Sequence, residues 1–358
     1  MHLTLLAIDW VLLIEKCVLI LIIISVSLLV AMYETYAERK VAAFMQDRRG
    51  PSRAGPGGIL QPLADGMKLF MKEEIIPAHS NRLLFVLGPG VAMLTAMMTS
   101  AVVPWSSHLV IGGRAVNLQI ADVNIGILYI FGVVSMGVYG VMIGGWASNN
   151  KFSLLAAIRG ASQIISYELA MGLSIIALLM ITGTLSLRQI VENQQNTGHY
   201  YVFVQPLGFL IFLICAFAEC NRSPFDLSEA DNELNMGYHQ EYSSMKLGFY
   251  LFAEYVAMFV SSAVMATLYW GGYDIPFVND AALAQHWGQN PVAILQAVSL
   301  FAKICLFIFF FMWVRWTIPR FRYDQLMKMG WNWLIPLALV NMLVTGFLVL
   351  LKQNHWHF

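Results

Sequence analysis

Charged residues are scarce in this sequence of 358 residues. Only 12% are charged and 58% are hydrophobic, whereas soluble domains carry roughly 25% charge. Acids and bases are equal in number, so the zero net charge indicates no charged partner, and no basic tract suggests nucleic acid. No polar linker is long enough to separate domains. The composition excludes a soluble protein and predicts one integral membrane domain over residues 1–358.

Cysteine is also scarce, and the motifs of common cofactor sites are missing. None of the cysteines forms a CxxC pair, so the sequence predicts neither a zinc site nor an iron–sulfur site. We interpret them as small apolar packing residues. Nucleophile elbow, P-loop and flavin motifs are absent, as is the DxDxDG spacing of calcium loops. We therefore expect this chain to bind no metal or cofactor and to make no bonds alone.

Long apolar runs dominate the chain instead. A helix that crosses a bilayer needs about 20 mostly apolar residues, and these runs predict an all-α membrane protein with eight transmembrane helices. The predicted spans are 11–33, 85–104, 122–146, 163–185, 205–221, 247–270, 295–315 and 333–351. The first lacks a basic n-region and a cleavage site, so we interpret it as a retained span. The fifth is short because Pro224 and a group of acids end it.

The positions of the bases predict the orientation of the spans. One side of the membrane receives Arg39, Lys40, Arg48, Arg49, Arg53, Lys68, Lys72, Arg82, Lys151, Arg159, Arg222, Lys246, Arg315, Arg320, Arg322 and Lys328. The other side receives only Arg114, Arg188 and Lys352. We therefore expect the loops after odd-numbered spans to face the cytoplasm or its equivalent, and both termini to face the opposite side.

The first cytoplasmic loop, residues 34–84, predicts a turn and then a short helix. Its centre, "RRGPSRAGPGG", has glycine and proline at the frequency typical of turns. After it, apolar residues recur at helical spacing at Leu60, Leu63, Met67, Phe70 and Met71, and polar residues take the other face. This pattern predicts an amphipathic helix over about 60–72, in the interface or against neighbouring spans. The glycine-rich stretch lacks the GxxxxGK[ST] motif of nucleotide binding.

Three glutamates fall within or at the ends of predicted spans. Glu168 begins the fourth span, Glu219 ends the fifth, and Glu254 lies inside the sixth. An ionised acid at the bilayer centre costs about 2.5–3.5 kcal/mol on insertion scales, so such residues usually face a polar cavity and carry a function. An interfacial or locally paired role for Glu254 is the alternative.

An acid-rich segment, Phe217 to Tyr242, lies between two apolar runs and contains a single arginine or lysine, Arg222. We call it the acid loop. Its acids are Glu219, Asp226, Glu229, Asp231, Glu233 and Glu241. Asp226, Glu229 and Glu233 are spaced i, i+3, i+7, which places them on one face of any helix there. Close carboxylates in a low dielectric cannot all ionise and share protons as a coupled set, which predicts a proton relay.

Four long motifs, in order along the chain, resemble the H-type membrane subunit of the proton-pumping NADH–quinone oxidoreductases, in the respiratory complex I family. They are "AERKVAAFMQDRRGPSRAGPGGILQPLADGMKLFMKE" (37–73), "NNKFSLLAAIRGASQIISYE" (149–168), "AECNRSPFDLSEADNELNMGYHQEYSSMK" (218–246) and "RWTIPRFRYDQLMKMGWNWLIPLAL" (315–339). The resemblance spans nearly the whole chain and includes the eight-span layout.

The resemblance implies a subunit at the heel of the membrane arm, under the hydrophilic arm and beside the pumping subunits. The first span, the first-loop helix and the sixth span would frame the tunnel by which quinone enters from the bilayer. Quinone would be the substrate, with FMN and iron–sulfur clusters on partner subunits. The membrane would be the plasma (inner) membrane of a bacterium or the mitochondrial inner membrane.

The resemblance also implies roles for individual residues. It assigns a proton route to Glu38, Asp65, Glu168, Glu219, Asp231, Glu233 and Glu254. We add Asp226, Glu229 and Glu241 of the acid loop to that route. Arg39 and Arg222 would belong to the charged lining of the quinone chamber. We add Arg48 and Arg49 of the basic turn to this lining, and expect them to pair partly with the acid loop and partly with the hydrophilic subunits.

Two other functions stay open from the sequence. One is the homologous membrane subunit of a membrane-bound hydrogenase, formate hydrogenlyase or photosynthetic complex I, in which the first loop would look similar. The other is a stand-alone ion transporter or channel, which eight spans with buried acids would permit. The continuous "NRSPFDLSEADNEL" and the complete first loop favour the quinone enzyme.

Overall fold

The computed structural model describes residues 10–278 and 280–353. The α-helices are α1 (Trp10–Met45), α2 (Gln61–Met71), α3 (Arg82–Thr99), α4 (Gly126–Ala147), α5 (Lys151–Thr182), α6 (Leu187–Thr197), α7 (Tyr201–Val204), α8 (Pro206–Glu219), α9 (Asp231–Leu234), α10 (Ser244–Tyr269), α11 (Asp280–Trp287), α12 (Gln289–Thr317), α13 (Tyr323–Lys328) and α14 (Ile335–Gln353). Strands β1 (Leu109–Ile111) and β2 (Arg114–Val116) form an antiparallel hairpin between α3 and α4.

Seven helices in the described part of the chain are long and apolar enough to cross a membrane. They are α1, α3 with its 3-10 extension to Val102, α4, α5, α10, α12, and the helix from Tyr323 to Lys352 that comprises α13 and α14. Each overlaps a predicted span. The predicted span 205–221 is α8, which is apolar but has only 14 residues. At 1.5 Å per residue α8 is about 21 Å long, which is less than the roughly 30 Å hydrocarbon core.

The centre of the bundle is formed by α5, α8 and α10. Their facing side chains are fully buried, among them Ile211 of α8, Leu178 of α5 and Phe259 of α10. By contrast, α1 and α14 leave large apolar side chains exposed along much of their length, such as Leu21 and Leu343. Exposed apolar faces of this length are stable only against lipid or partner helices, as expected of an integral membrane protein.

Close packing at glycines brings α10 against α3 and α4. A Cβ on Gly144 of α4 would lie 1.9 Å from the Tyr250 hydroxyl, and one on Gly88 of α3 would lie 2.5 Å from it. The hydroxyl donates to the Gly140 carbonyl at 3.0 Å. Only glycine leaves room for the tyrosine at these two positions. The arrangement fixes α10 one turn before Glu254.

A π-helical segment, Met329–Leu334, joins α13 to α14 and packs on α5. The Tyr167 hydroxyl of α5 donates to the Leu326 carbonyl at 3.0 Å, and the Trp331 indole donates to Ser166 at 3.2 Å. Gly330 lies against the Tyr167 ring. Short π-helical segments are rare and often lie at functional sites. This one joins the start of the last helix to α5 at Ser166 and Tyr167.

The far end of α10 is held by a buried lysine of α12. The Lys303 ammonium donates to the carbonyls of Trp270, Gly272 and Asp274 at 2.8, 2.8 and 2.7 Å. A cation at the C-terminus of a helix satisfies carbonyls that have no helical partner and favours the helix dipole. Lys303 therefore links the C-terminal end of α10 to the middle of α12.

Candidate functional site

Glu38 of α1 is the centre of a buried charge cluster. Its carboxylate forms an ion pair with Arg315 at 2.6 Å and accepts hydrogen bonds from the Tyr255 hydroxyl at 2.9 Å and from Arg222 at 3.2 Å. The Glu38 side chain is only 8% exposed. These partners come from α12, α10 and the acid loop, so one carboxylate connects parts of the chain that are distant in sequence. Charge-assisted bonds of this kind are about twice as strong as neutral ones.

Arg222 is the buried cation of the acid loop. Its guanidinium lies 4.1 Å from the centre of the Tyr255 ring, within the range of cation–π contacts. The main chain positions it, because the Arg222 N–H donates to the Phe217 carbonyl at 3.2 Å, just before α8 ends. Two of its guanidinium nitrogens, Nε and Nη2, are buried without a hydrogen-bond partner. One turn before Glu38, both carboxylate oxygens of Glu34 are likewise buried and unpartnered.

Asp226 joins the acid loop to the segment after α12. It forms an ion pair with Arg320 at 2.6 Å, while its other oxygen is buried without a partner. The Phe321 N–H donates to the Pro224 carbonyl at 3.2 Å and holds the two segments together. Burial, and then the charge of Glu229, raise the pKa of Asp226 to about 7, and Arg320 opposes that rise. The side chain is therefore poised to change charge near neutral pH.

Two more acids, Glu229 of the acid loop and Glu254 of α10, lie beside the neighbouring residues His239 and Tyr238. Glu229 lies 3.6 Å from the His239 imidazole, too far for a hydrogen bond, and the Tyr238 hydroxyl donates to Glu254 at 3.1 Å. Burial, followed by the charges of Glu254 and Glu229, raises the pKa of Tyr238 well above its usual value. Tyr238 therefore stays a neutral donor to Glu254. Together these contacts place a loop acid and a membrane acid in one network.

Glu219 and Glu254 both line a cavity of about 140 Å³ between α3, α4, α5 and α10. Most of the lining is apolar, and one oxygen of Glu219 is buried without a partner. Glu168 belongs to α5, which forms one wall of this cavity, and its carboxylate accepts a hydrogen bond from the Ser135 hydroxyl of α4. A cavity large enough for water, with carboxylates in its wall, can carry protons through ordered water.

The other predicted site residues lie near the surface of the chain. Asp65 of α2 pairs with Arg39 of α1 at 2.6 Å, and Glu233 pairs with Arg159 of α5 at 2.7 Å. Glu241 accepts from the Asn150 amide at 2.7 Å. Exposed ion pairs such as these contribute only about 0.2–1 kcal/mol each. Asp231 begins α9, and its side chain lies outside the described residues.

Two expectations differ from the structure. Asp226, Glu229 and Glu233 do not share a helix face, because residues 220–230 form turns and bends and only Asp231–Leu234 is helical. Buried Gln163 of α5 donates to the Ala218 and Phe225 carbonyls at 3.0 and 2.7 Å, which stabilises this irregular chain path.

The basic turn also differs from expectation. Arg48 is exposed and donates to the nearby Gln46 side chain at 2.7 Å. Between the described residues, no ion pair joins Arg48 or Arg49 to the acid loop. Among the described residues, Arg320 and Arg159 form ion pairs with acids of the loop because they come from segments packed against it. Arg222 is part of the loop and pairs with Glu38 of α1.

Several site residues were not singled out from the sequence: Glu34, Tyr238, His239, Tyr255, Arg315 and Arg320. Glu34 precedes Glu38 by four residues, so helical spacing placed both on one face of α1. Arg315 and Arg320 belong to the motif 315–339, but the sequence around them does not indicate their partners. Those partners are Glu38 for Arg315 and Asp226 for Arg320. No group of three or more metal-ligand side chains occurs over 10–278 and 280–353.

The comparisons with known proteins agree over almost the full length. The model of the NADH dehydrogenase family matches residues 17–346. The chain belongs to this family. The H-type subunit (form 1) of the NADH-quinone oxidoreductase of Cytophaga hutchinsonii is 63% identical over 339 residues, which are 95% of this chain and 98% of that protein.

Further relatives carry related names. The H-type subunit of the NADH-quinone oxidoreductase of Flavobacterium johnsoniae is 61% identical over 337 residues, 94% of this chain and 95% of that protein. Subunit 8 of the Rhodothermus marinus enzyme is 46% identical over 328 residues, covering 90% and 94% of the two chains. Members of the NADH dehydrogenase family thus match this chain over almost its whole length, and the resemblance seen in its motifs is confirmed.

Proposed function

We propose that this chain is the membrane-arm subunit that leads quinone from the bilayer to its reduction site and couples that reduction to proton translocation. The observation that carries the proposal is the group of charged side chains withdrawn from the surface: Glu38, Arg222 and Asp226 near the acid loop, and Glu254 and Glu219 in the wall of one cavity. Buried carboxylates without full hydrogen bonding are costly and are retained where they function. A protein that only anchored its partners would not need them.

The quinone path is proposed to run between α1, α2 and α10. Three contacts support this: the Arg39–Asp65 ion pair joins α1 to α2, the Tyr36 hydroxyl donates to the Gly57 carbonyl, and Ser244 at the start of α10 donates to the Leu69 carbonyl. Apolar side chains of α2, such as Met67 and Phe70, remain exposed. An apolar mouth that leads to a charged interior suits a headgroup with a hydrocarbon tail.

The proton route is proposed to begin at the Glu38 cluster and to end at the cavity. Reduction of quinone to quinol consumes protons as electrons arrive, so the charge near Glu38 and Arg222 changes during turnover. Asp226, with its pKa near 7, and Glu229 would pass that change to Glu254. Glu254 and Glu219 then share the cavity wall with Tyr238. Glu233, Asp65 and Glu241 would act at the rim, near the hydrophilic subunits.

The same proposal includes partners, cofactors and topology. FMN and iron–sulfur clusters would lie on the hydrophilic subunits, which would contact the first loop and the acid loop. Proton translocation would continue in the pumping subunits. The chain would lie in the plasma membrane of a bacterium with both termini opposite the cytoplasm. We propose that α8 provides an eighth crossing despite its length, because it packs in the bundle centre and α7 precedes it directly.

The test compares glutamine variants of buried and exposed acids in the purified complex. Glutamine has nearly the shape of glutamate but cannot titrate. We expect Glu219→Gln and Glu254→Gln to assemble normally and to lower quinone-linked NADH oxidation by about tenfold or more, which is roughly 1.4 kcal/mol at the limiting step. NADH oxidation with an artificial acceptor at the hydrophilic arm should stay near normal.

Glu192→Gln provides the matched control. Glu192 is 44% exposed, pairs with Arg188 within α6, and lies away from the cluster. It should leave both activities unchanged. Full quinone reduction and proton pumping in the Glu219 and Glu254 variants would disprove the relay. Ion transport by this chain alone in liposomes would instead favour a stand-alone transporter.

A further inference from the structure

A long apolar groove lies on the bilayer-facing side of α1 and α3, apart from the charge cluster and its cavity. Its volume is about 490 Å³, within the roughly 300–1,000 Å³ of ligand pockets. The lining residues are Ile20, Ile24, Gly90, Met93, Leu94, Met97, Met98, Ser100, Ala101, Ile120, Tyr129 and Phe249. Leu94 and Met98 are about half exposed, so the groove is open to the membrane rather than enclosed.

The α3 wall has the shape of a channel for a linear chain. Its lining positions from Gly90 to Met98 recur at helical spacing and lie on one face. A Cβ on Gly90 would meet no atom within 4 Å, so this glycine leaves a notch at one end. The methionine side chains are unbranched and adapt to the shape of a hydrocarbon partner. From Gly90 to Ala101 the groove is about 16 Å long, close to half of the roughly 30 Å hydrocarbon core.

A single positive charge stands at the other end of the groove. Lys16, Ile20 and Ile24 are spaced four residues apart, so they share one face of α1. The Lys16 ammonium donates to the Gln119 carbonyl at 3.0 Å, which places it next to the lining residue Ile120. Among the described residues, no carboxylate lies within 4 Å of this ammonium. It therefore has hydrogen-bonding capacity left for an anion.

We propose that this groove binds one acyl chain of an anionic phospholipid, whose phosphate is held by Lys16. With the orientation expected from the loop charges, the lipid belongs to the leaflet opposite the cytoplasm. The groove is one leaflet deep, apolar along its length and basic at its outer mouth, which matches a phospholipid of that leaflet in length and in charge. A quinone tail would suit the apolar part equally well, but its neutral headgroup would not use the charge.

The proposal is tested by photocrosslinking on the intact purified complex in lipid vesicles. The probe is phosphatidylglycerol with a diazirine in one acyl chain, mixed into phosphatidylcholine, and the labelled peptides are mapped by mass spectrometry. We expect labelling of the α3 segment 93–101, and competition by unlabelled phosphatidylglycerol but not by added phosphatidylcholine. One lysine near a membrane surface contributes about 1 kcal/mol toward an anionic lipid, so Lys16→Gln should lower this labelling about fivefold.

Two matched variants separate the tail from the headgroup. Gly90→Leu adds a side chain at the notch, where a Cβ meets no atom within 4 Å, and should reduce labelling by both phosphatidylglycerol and phosphatidylcholine probes. Gly132→Leu, at another open glycine outside the groove, and Lys352→Gln, at an exposed lysine elsewhere, should leave labelling unchanged. Recovery of the assembled complex and its activity with an artificial acceptor confirm folding of each variant.

Three results would overturn the proposal. Equal labelling by both lipid probes, unaffected by Lys16→Gln, would remove the headgroup site. Labelling of the same segment by a diazirine quinone, with no competition from phosphatidylglycerol, would assign the groove to an isoprenoid tail. Absence of labelling above the general bilayer background would show that a partner helix covers the groove. None of these readouts depends on quinone reduction, so their outcome is independent of the proposed function.

Discussion

Replacement of Glu38 by glutamine perturbs the charge cluster at its centre. The wild-type carboxylate accepts hydrogen bonds from Tyr255 and Arg222 and forms an ion pair with Arg315. A glutamine side chain keeps one acceptor oxygen but presents an NH₂ donor where the second carboxylate oxygen lay. Either the half-buried Arg315 guanidinium or the buried Arg222 guanidinium then faces another donor, and both guanidiniums lose their shared counter-charge. The perturbation therefore acts on charge and bonding with almost no change in volume.

The size of the effect follows from these contacts. A hydrogen bond to a charged group contributes about 1.5–3 kcal/mol, so the loss of two costs roughly 3–6 kcal/mol before relaxation. If the variant destabilises the transition state of the limiting step by about 1.4 kcal/mol more than it destabilises the ground state, the rate falls tenfold. We therefore expect Glu38→Gln to lower quinone-linked NADH oxidation by about tenfold or more.

Two further variants calibrate the result. Tyr255→Phe removes one bond to Glu38 but keeps the ring under Arg222, so its effect should be smaller. Glu192→Gln keeps an acceptor for Arg188, its partner within α6, and disturbs no buried charge, so it should be near normal. The assay is steady-state quinone-linked NADH oxidation by the assembled complex, with an artificial acceptor as control. Wild-type rates for Glu38→Gln, or an equal loss in Glu192→Gln, would refute the reasoning.

Two other predictions follow from the acid loop and from the topology. Since burial raises the pKa of Asp226 to about 7, its carboxyl is protonated below that pH and ionised above it. The pH profile of quinone-linked oxidation should therefore show an inflection near pH 7 that Asp226→Asn removes, and an inflection that persists would assign it to another group. In a background with Cys17 and Cys305 replaced by serine, an impermeant maleimide should label exposed Asp47→Cys from the cytoplasmic side and exposed Thr197→Cys from the other. Labelling of both from one side would contradict the orientation.

The sequence was sufficient for the spans but not for the partners of the charges. Apolar runs of membrane length need no long-range information, so seven long helices appear where they were predicted. The acid loop was recognised by composition, yet its conformation was not. Its carboxylates Asp226 and Glu233 pair with Arg320 and Arg159, whose distance along the chain hides the pairing, and its main-chain carbonyls accept from Gln163.

Local sequence patterns also could not indicate which of the predicted acids are buried. Glu38 and Asp65 both belonged to the proton route implied by the resemblance, yet Glu38 is buried among two arginines and Asp65 lies in a partly exposed pair. Glu233 looked like a member of the buried acid set, but α9 turns it toward Arg159, where it is 52% exposed. A carboxylate becomes buried only through the packing of several helices, and that packing is a property of the whole bundle.

The middle of α10 and its two ends are held by different chemistry, and this difference bears on coupling. Near the middle of the helix, Glu254 accepts a hydrogen bond from Tyr238 and Tyr255 donates one to Glu38, so these contacts involve titratable carboxylates. Near its start, Ser244 and Tyr250 donate to the main-chain carbonyls of Leu69 and Gly140, and at its C-terminal end Lys303 is bound by main-chain carbonyls, whose charge does not depend on protonation. A change in charge at the acid loop therefore alters the contacts in the middle of α10 while its ends stay anchored. That middle part carries Glu254, which lines the cavity that it shares with Glu219.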